Sequence, residues 1–272
     1  MTTPIPAAWA AAIDDFCDAL RAGGAPDTTI STRRNHVRRV ARQLGGSPFE
    51  LDGERLVSWC GRQNWAVETR RGYRQSIAAF YAWAVAAGRT TVNPSTALPK
   101  VRAATPSPRP APEIAYREAL ARADDRARLM LRLAAEAGLR RAEVAQAHSR
   151  DVIEDLEGWS LIVHGKGGRQ RIVPLTNELA AAVRGRGHGY LFEGRIDGHL
   201  SPRWVGKIVT TLLPGESTMH QLRHRFATRA YSVDRDVFTV QELLGHASPA
   251  TTRRYVLVPR SALRATVKAV AS

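Results

Sequence analysis

The chain has 272 residues, 40 of them Lys or Arg and 25 Asp or Glu, giving a formal net charge of +15 and a pI near 11.0. That length suits one or two domains; no apolar run approaches the ~20 residues of a membrane span, the N-terminus lacks a secretory signal layout, and Cys17 and Cys60 are too few for a disulfide framework, which leaves a cytoplasmic setting as the expectation. The charge excess calls for a polyanion, nucleic acid first, because neutralised phosphates release counterions; only four of the basic residues are lysines, so an arginine-rich composition accounts for part of it.

From the N-terminus, apolar periodicity predicts helices over 7–22, 28–44, 52–63 and 67–87, with Gly23-Gly24, Gly45-Gly46 and Gly88 as stops. In the last, Tyr73, Ile77, Phe80 and Ala84 recur at helical spacing as a core stripe, while Arg70, Arg71 and Arg74 cluster at its start. In the second, Arg34, Arg38 and Arg42 repeat every four residues with Arg33 and Arg39 beside them. Such a row is either a solvated face or, with two basic faces in one small bundle, a set of phosphate contacts. The segment ATPSPRPAP, 104–112, has four prolines in nine positions and behaves as a semi-rigid linker. It divides the chain into 1–103, the linker and 113–272. Residues 1–102 carry 14 basic and 8 acidic side chains and residues 113–272 carry 25 and 17, so both pieces are expected to face the same polyanion.

Beyond the linker, 126–138 reads as a helix stopped by Gly138, and RAEVAQAHS opens another. WSLIVH and RQRIVPL flank GKGG as two β-rich arms of a hairpin over 159–175. Ser217 and Thr218 are candidate caps for a helix over 219–231. A helix over 237–244 closes at Gly245, and Ser248-Pro249 starts the following segment. The fold class is mainly α with a small β-hairpin or sheet, α+β.

His220, Arg223 and His224 share one predicted helix. His220 and His224 at i, i+4 could pair on zinc, but the glutamate of an HExxH motif and any thiol cluster are missing. A His-x-x-Arg pair on one helical face suits phosphate better. Arg140, just past Gly138, is either solvated or a planar fork for the non-bridging oxygens of a phosphodiester. Lys166 at the hairpin tip belongs to no P-loop; an ammonium there can be tuned as a general acid, which a guanidinium cannot.

Taken in order, GLRRAEV (138–144), GKGGRQRIVPL (165–175), HQLRHRFAT (220–228) and LLGHASPATTRRY (243–255) resemble the catalytic domain of the tyrosine recombinases, the phage integrase family. The resemblance covers 113–272. Residues 1–103 are similar in length and helix content to the family's helical core-site DNA-binding domain, with Arg33, Arg34, Arg38, Arg42, Arg70, Arg71 and Arg74 as candidate DNA contacts. The resemblance implies that Arg140 and Arg223 clamp the phosphate, Lys166 is the hairpin lysine, and His220 and His246 are the active-site histidines. It also makes Tyr255 the nucleophile and Glu143 the supporting acid, with no metal, cofactor or ATP. The implied activity is cleavage and rejoining of double-stranded DNA core sites through a 3′-phosphotyrosyl link. The implied assembly is a homotetramer on two duplexes, with an accessory directionality factor as a further partner.

Because the first helix begins near residue 7, a compact type without an arm-binding domain is expected. Integrase is the first expectation and chromosome- or plasmid-dimer resolvase the alternative. A type IB topoisomerase-like relaxase and a non-catalytic DNA-binding protein are the remoter classes. The tail 261–272, with Leu263, Val267 and Val270 at helical spacing, either packs on its own domain or docks on a neighbouring protomer.

Overall fold

The computed structural model describes residues 4–103, 107–165, 168–246, 252, 255 and 256, and the chain divides into two compact units at 105/106. Lys166, linker residues 104–106, the Ser248-Pro249 start and the tail 261–272 lie outside the described residues.

In the first unit, α1 (Ala7–Ala22), α2 (Asp27–Leu44), α3 (Gly53–Gly61) and α4 (Val67–Ala86) fall within two residues of the predicted bounds. Their apolar stripes meet in a core that includes Trp9, Phe16, Val37, Leu56, Ile77 and Phe80. Phe80 takes Phe16 edge-on at 5.4 Å and Trp9 face-on at 5.7 Å between ring centroids, arrangements in which ring quadrupoles attract. Asp52 starts α3 by accepting the Arg55 N–H at 2.6 Å, the usual reason a short acidic residue stands before a helix.

The second unit contains α5 (Glu113–Arg122), α6 (Asp125–Glu136), α7 (Arg141–Gln146), α8 (Asn177–Arg184), α9 (Pro202–Leu212), α10 (Met219–Asp234) and α11 (Val237–Leu244). It also holds a three-stranded antiparallel sheet, β1 (Val152–Asp155), β2 (Gly158–His164) and β3 (Gln170–Pro174), in that order. The predicted two-armed hairpin is therefore incomplete. β1 adds a strand along the other edge of β2, pairing Val152 with Leu161 and Asp155 with Gly158. Leu161, Val163 and Val173 turn inward, and Arg171 stands opposite Val163 on the same inward phase.

Helices α5, α8 and α9 go unassigned in the sequence reading, although two of them carry clear caps. Thr176 accepts from Leu179 N at 3.3 Å, and Ser201 accepts from Trp204 N at 3.1 Å with Pro202 behind it. The core runs through α6 (Met130, Leu131, Leu133), the sheet, α9 (Val205, Val209) and Leu222 of α10. Arg225 of α10 fixes that helix to its neighbours: it bonds Glu113 of α5 at 2.7 Å and Ala135 O of α6 at 3.1 Å. Its guanidinium also lies 4.3 Å from the centre of the Tyr116 ring. The helix that carries His220, Arg223 and His224 is thereby held at a set height against α6.

Candidate active site

The site grows from a turn. Gly138 follows α6 at φ 66°, and a Cβ there would lie 2.4 Å from Phe226 Cδ1 of α10. Glycine is required both for the left-handed turn and for the close approach of α10. That approach lets Arg223 reach across: its Nη1 donates to Gly138 O, and its Nη2 donates to Leu244 O at 2.6 Å. Leu244 ends α11, so the guanidinium satisfies a helix-end carbonyl that would otherwise lack a donor. Arg223 is 1% exposed, and its Nε has no partner among the described residues. A buried cation with an unfilled donor is a place for an anion.

Arg140 caps α7 in the same turn. Its backbone N–H donates to Glu143 Oε2 at 2.8 Å and its Nη1 to Oε1 at 2.6 Å. Arg171 of β3 meets the same carboxylate with two parallel bonds, Nη1 to Oε1 at 3.0 Å and Nη2 to Oε2 at 2.8 Å, and its Nε donates to Leu243 O at 2.9 Å. Arg223 Nη1 lies 3.7 Å from Oε2. Burial alone would raise the Glu143 carboxyl; the bonds and charge of Arg171, the Arg140 N–H and the Arg223 charge reverse that and hold it at about 2. Burial, then the charge of Arg140, pushes Arg223 down to about 9, still cationic at neutral pH. Three guanidinium groups thus share one carboxylate.

Three imidazoles surround Tyr255. His224 stacks on the phenol with centroids 4.3 Å apart and planes at 18°, His246 is tilted at 4.7 Å, and His220 is edge-on at 5.4 Å. The Tyr255 N–H donates to Thr252 O at 2.8 Å, and Thr228 Oγ1 donates to Tyr255 O at 3.3 Å. His246 lies between Arg223 Nη2 at 3.1 Å and Thr252 Oγ1 at 3.0 Å. Burial, then the positive charges of Arg223, Arg140 and Arg171, pushes His246 down to about 3. Burial, then His220 and Arg223, pushes His224 down to about 4. His220 keeps an open edge, yet close packing followed by Arg223, Arg140 and Arg141 lowers it as well. All three rings are neutral near pH 7. Among the described residues no three His, Cys, Asp or Glu side chains assemble as a metal site.

Arg140, Glu143, His220, Arg223, His246 and Tyr255 therefore form one connected cluster, and Lys166 lies outside the described residues. A cleft of about 900 Å³ opens onto it, lined by Arg140, His220 and Arg223 and, from α9, by Arg203, Lys207 and Thr210. In the first unit, Arg70 bonds Cys60 O and Gln63 O at 2.7 and 2.8 Å, and Arg74 bonds Pro99 O at 2.9 Å. Arg34 meets Cys17 Sγ at 3.3 Å and Arg71 meets Glu68 at 2.7 Å. Among the described residues no such bond engages Arg33, Arg38 or Arg42, and the last two line a groove with Asp14. Sequence reasoning misses Arg171, His224 as a ring partner, and Thr252. A charged residue on the inward phase of β3 is the signal that could have found Arg171.

The model of the phage integrase family matches residues 114–260. Tyrosine recombinase XerC of Xanthomonas campestris pv. campestris is 32% identical over 198 residues, covering 65% of this chain and 60% of that protein, so the chain spans less than two thirds of that relative's length. Tyrosine recombinase XerD of Ralstonia nicotianae is 28% identical, over 97% of this chain and 94% of that protein. A lambda integrase dimer bound to a COC′ core site shares the fold with a TM-score of 0.71 at 18% identity, over 90% of this chain and 76% of that one. The XerH site-specific recombinase bound to a palindromic difH substrate does so with 0.70 at 19%, over 96% and 84%.

Proposed function

Because the chain belongs to the phage integrase family, we propose that it is a site-specific DNA recombinase that cleaves and rejoins strands through Tyr255. The observation that carries the reading is the clustering of Tyr255 with neutral imidazoles and two guanidiniums, of which Arg140, His220 and Arg223 line a basic cleft. A phosphodiester repels nucleophiles because its oxygens are already negative. Arg140 and the unfilled donor of Arg223 offset that charge and the added charge of the pentavalent transition state. The Tyr255 oxygen forms a bond to phosphorus as the bond from phosphorus to the 5′ oxygen breaks. The phenolic proton passes to His220, whose lowered pKa leaves it neutral and able to accept. Lys166 gives a proton to the departing 5′ oxygen. The product is a 3′-phosphotyrosyl link and a free 5′-hydroxyl. The link conserves the energy of the broken bond, so the 5′-hydroxyl of a partner strand can reverse the step without ATP.

Double-stranded DNA is the partner this reading requires. Arg33, Arg38 and Arg42 of the first unit and the α9 side of the cleft are the proposed phosphate contacts. The bound duplexes of the XerH and lambda integrase structures, and a lambda integrase tetramer described on a Holliday junction, support a homotetramer acting on two duplexes. The likeness to XerC and XerD proteins as well as to lambda integrase supports the chemistry shared by resolvases and integrases, and the DNA site separates the two. A directionality factor would belong with the integrase reading. The test is a nicked duplex that loses its 5′-hydroxyl fragment on cleavage. The wild-type chain should accumulate an adduct that survives boiling in detergent, and Tyr255→Phe should form none while still retarding the duplex. An adduct with the phenylalanine variant would remove Tyr255 from the nucleophile role.

A further inference from the structure

A second basic pocket lies towards the end of the sheet remote from the cluster. Arg171 stands opposite Val163, and Trp159 is four residues back along β2, roughly 13 Å away at about 3.3 Å per residue. The pocket holds about 530 Å³ and shares no lining residue with the cleft. Arg150, Arg184, His148 and His188 supply its polar lining, Trp159 and Val152 its apolar part, and no Asp or Glu lines it. The Arg184 guanidinium lies 4.1 Å from the centre of the Trp159 ring, which also packs against the core. Among the described residues neither guanidinium has an ion pair or a hydrogen bond. We propose that this pocket docks an acidic segment of a partner protein, with a carboxylate paired to Arg150 and Arg184 and an apolar side chain laid against Val152 and Trp159.

The lining is ordered before any ligand arrives. The Ser149 N–H donates to Gly189 O at 2.9 Å and the Gly189 N–H to Ser149 Oγ at 3.0 Å, which ties the two lining segments together. His148 Nδ1 accepts the Arg150 N–H at 3.1 Å, so the neutral imidazole carries its proton on Nε2 and offers a donor. A planar guanidinium stacked on an indole has already lost part of its freedom, which lowers the entropy cost of pairing. Arg184 ends α8, where a cation also complements the helix dipole, but that accounts neither for Arg150 nor for the apolar lining. Nucleic acid suits the pocket less well. A duplex backbone brings charge but little to cover an apolar surface, and a base needs a free ring face, which Arg184 and the core occupy. Trp and Arg beside apolar surface are the composition of a protein-binding hot spot. The tail of a second copy fails on charge, since 261–272 carries Arg264 and Lys268 and no acidic side chain.

The inference does not depend on the recombinase reading, because peptide binding is read without DNA. A short fluorescein-labelled peptide of glutamate and leucine would be titrated with the full chain and followed by anisotropy. A peptide of glutamine and leucine removes the charge, and one of glutamate and glycine removes the apolar contact. The wild type should bind the first peptide, and each of the others about 10-fold more weakly. R150A/R184A changes two exposed side chains, so the fold should hold. That variant should bind the first peptide about 10-fold more weakly, yet retard a duplex as the wild type does. R203A/K207A, altered in the cleft, should bind the peptide within about 2-fold of the wild type, because salt screens charges beyond a Debye length. No binding by the wild type, or equal binding by R150A/R184A, would overturn the proposal. So would loss of the peptide in R203A/K207A, which would put it in the cleft. Loss of duplex retardation in R150A/R184A would make the pocket a nucleic-acid contact and overturn the proposal as well. Docking that persists in a chain forming no adduct would sink the recombinase reading and leave the docking site standing.

Discussion

Replacing Glu143 with glutamine keeps the shape of the side chain and removes its charge. The carboxylate is 6% exposed and takes two bonds from Arg140 and two from Arg171. Held at about 2 against an ordinary 4.5, it stabilises the folded state at neutral pH by about 3 kcal/mol. An amide also leaves the buried Arg171 and Arg223 charges facing Arg140 with no counter-charge, which is the costly way to break a buried pair. For a unit of this size about 3 kcal/mol lowers Tm by roughly 6–12 °C. Because the folded pKa is depressed, the contribution is complete above the ordinary carboxyl value and fades as pH falls from about 4.5 towards 2. At pH 3 the gap between wild type and E143Q should have shrunk to roughly half its value at neutral pH. Urea unfolding of both proteins from pH 3 to pH 7 measures this directly. A gap near zero at pH 7, or one that stays constant down to pH 3, would refute the view that the charge of Glu143 holds the arginine cluster together.

Gly138→Ala combines a positive φ with a Cβ against the Phe226 ring, and should cost about 2–4 kcal/mol of stability in urea titration. A loss under about 1 kcal/mol would mean that α10 yields at this point. His224→Ala removes the ring stacked on Tyr255, a contact worth about 0.5–1.5 kcal/mol, so adduct formation should slow roughly 2- to 10-fold while duplex affinity holds. His224→Phe should restore the rate, and better recovery with asparagine than with phenylalanine would show that a polar contact and not the stack is responsible.

The helices of the first unit are legible because periodicity and stop signals point the same way: the stripe of Tyr73, Ile77, Phe80 and Ala84 is buried along its whole length. The small helices of the second unit are less so. α8 and α9 are short, and their start signals at Thr176 and Ser201 stand beside apolar runs that suit strand or helix alike. The cluster residues stand out in sequence because motif order carries them. Their partners do not, since Arg171, Thr252 and the carbonyls of Gly138 and Leu244 come together only when four separate elements pack. The arginine rows illustrate the opposite limit. Spacing treats Arg38 and Arg70 alike, whereas Arg70 is spent on the carbonyls at the end of α3.

Arg171 explains how the cluster can hold so much positive charge without cancelling it. A lone Glu143 between Arg140 and Arg223 would be free to neutralise either, and a neutralised guanidinium gives nothing to a phosphate. Arg171 occupies both carboxylate oxygens from the sheet side and locks the carboxylate plane, and the Arg140 bond uses an oxygen already shared. Arg223 is left 3.7 Å away, near enough to stay cationic and too far to be satisfied. The field that remains is the preorganised kind that stabilises charge as it develops in a transition state, with no reorganisation cost at the moment of reaction. Its cost falls on the DNA-free protein, where three guanidiniums repel one another around a single anion. A bound phosphodiester would supply the missing negative charge, so on the proposed recombinase reading DNA should raise the stability of the second unit.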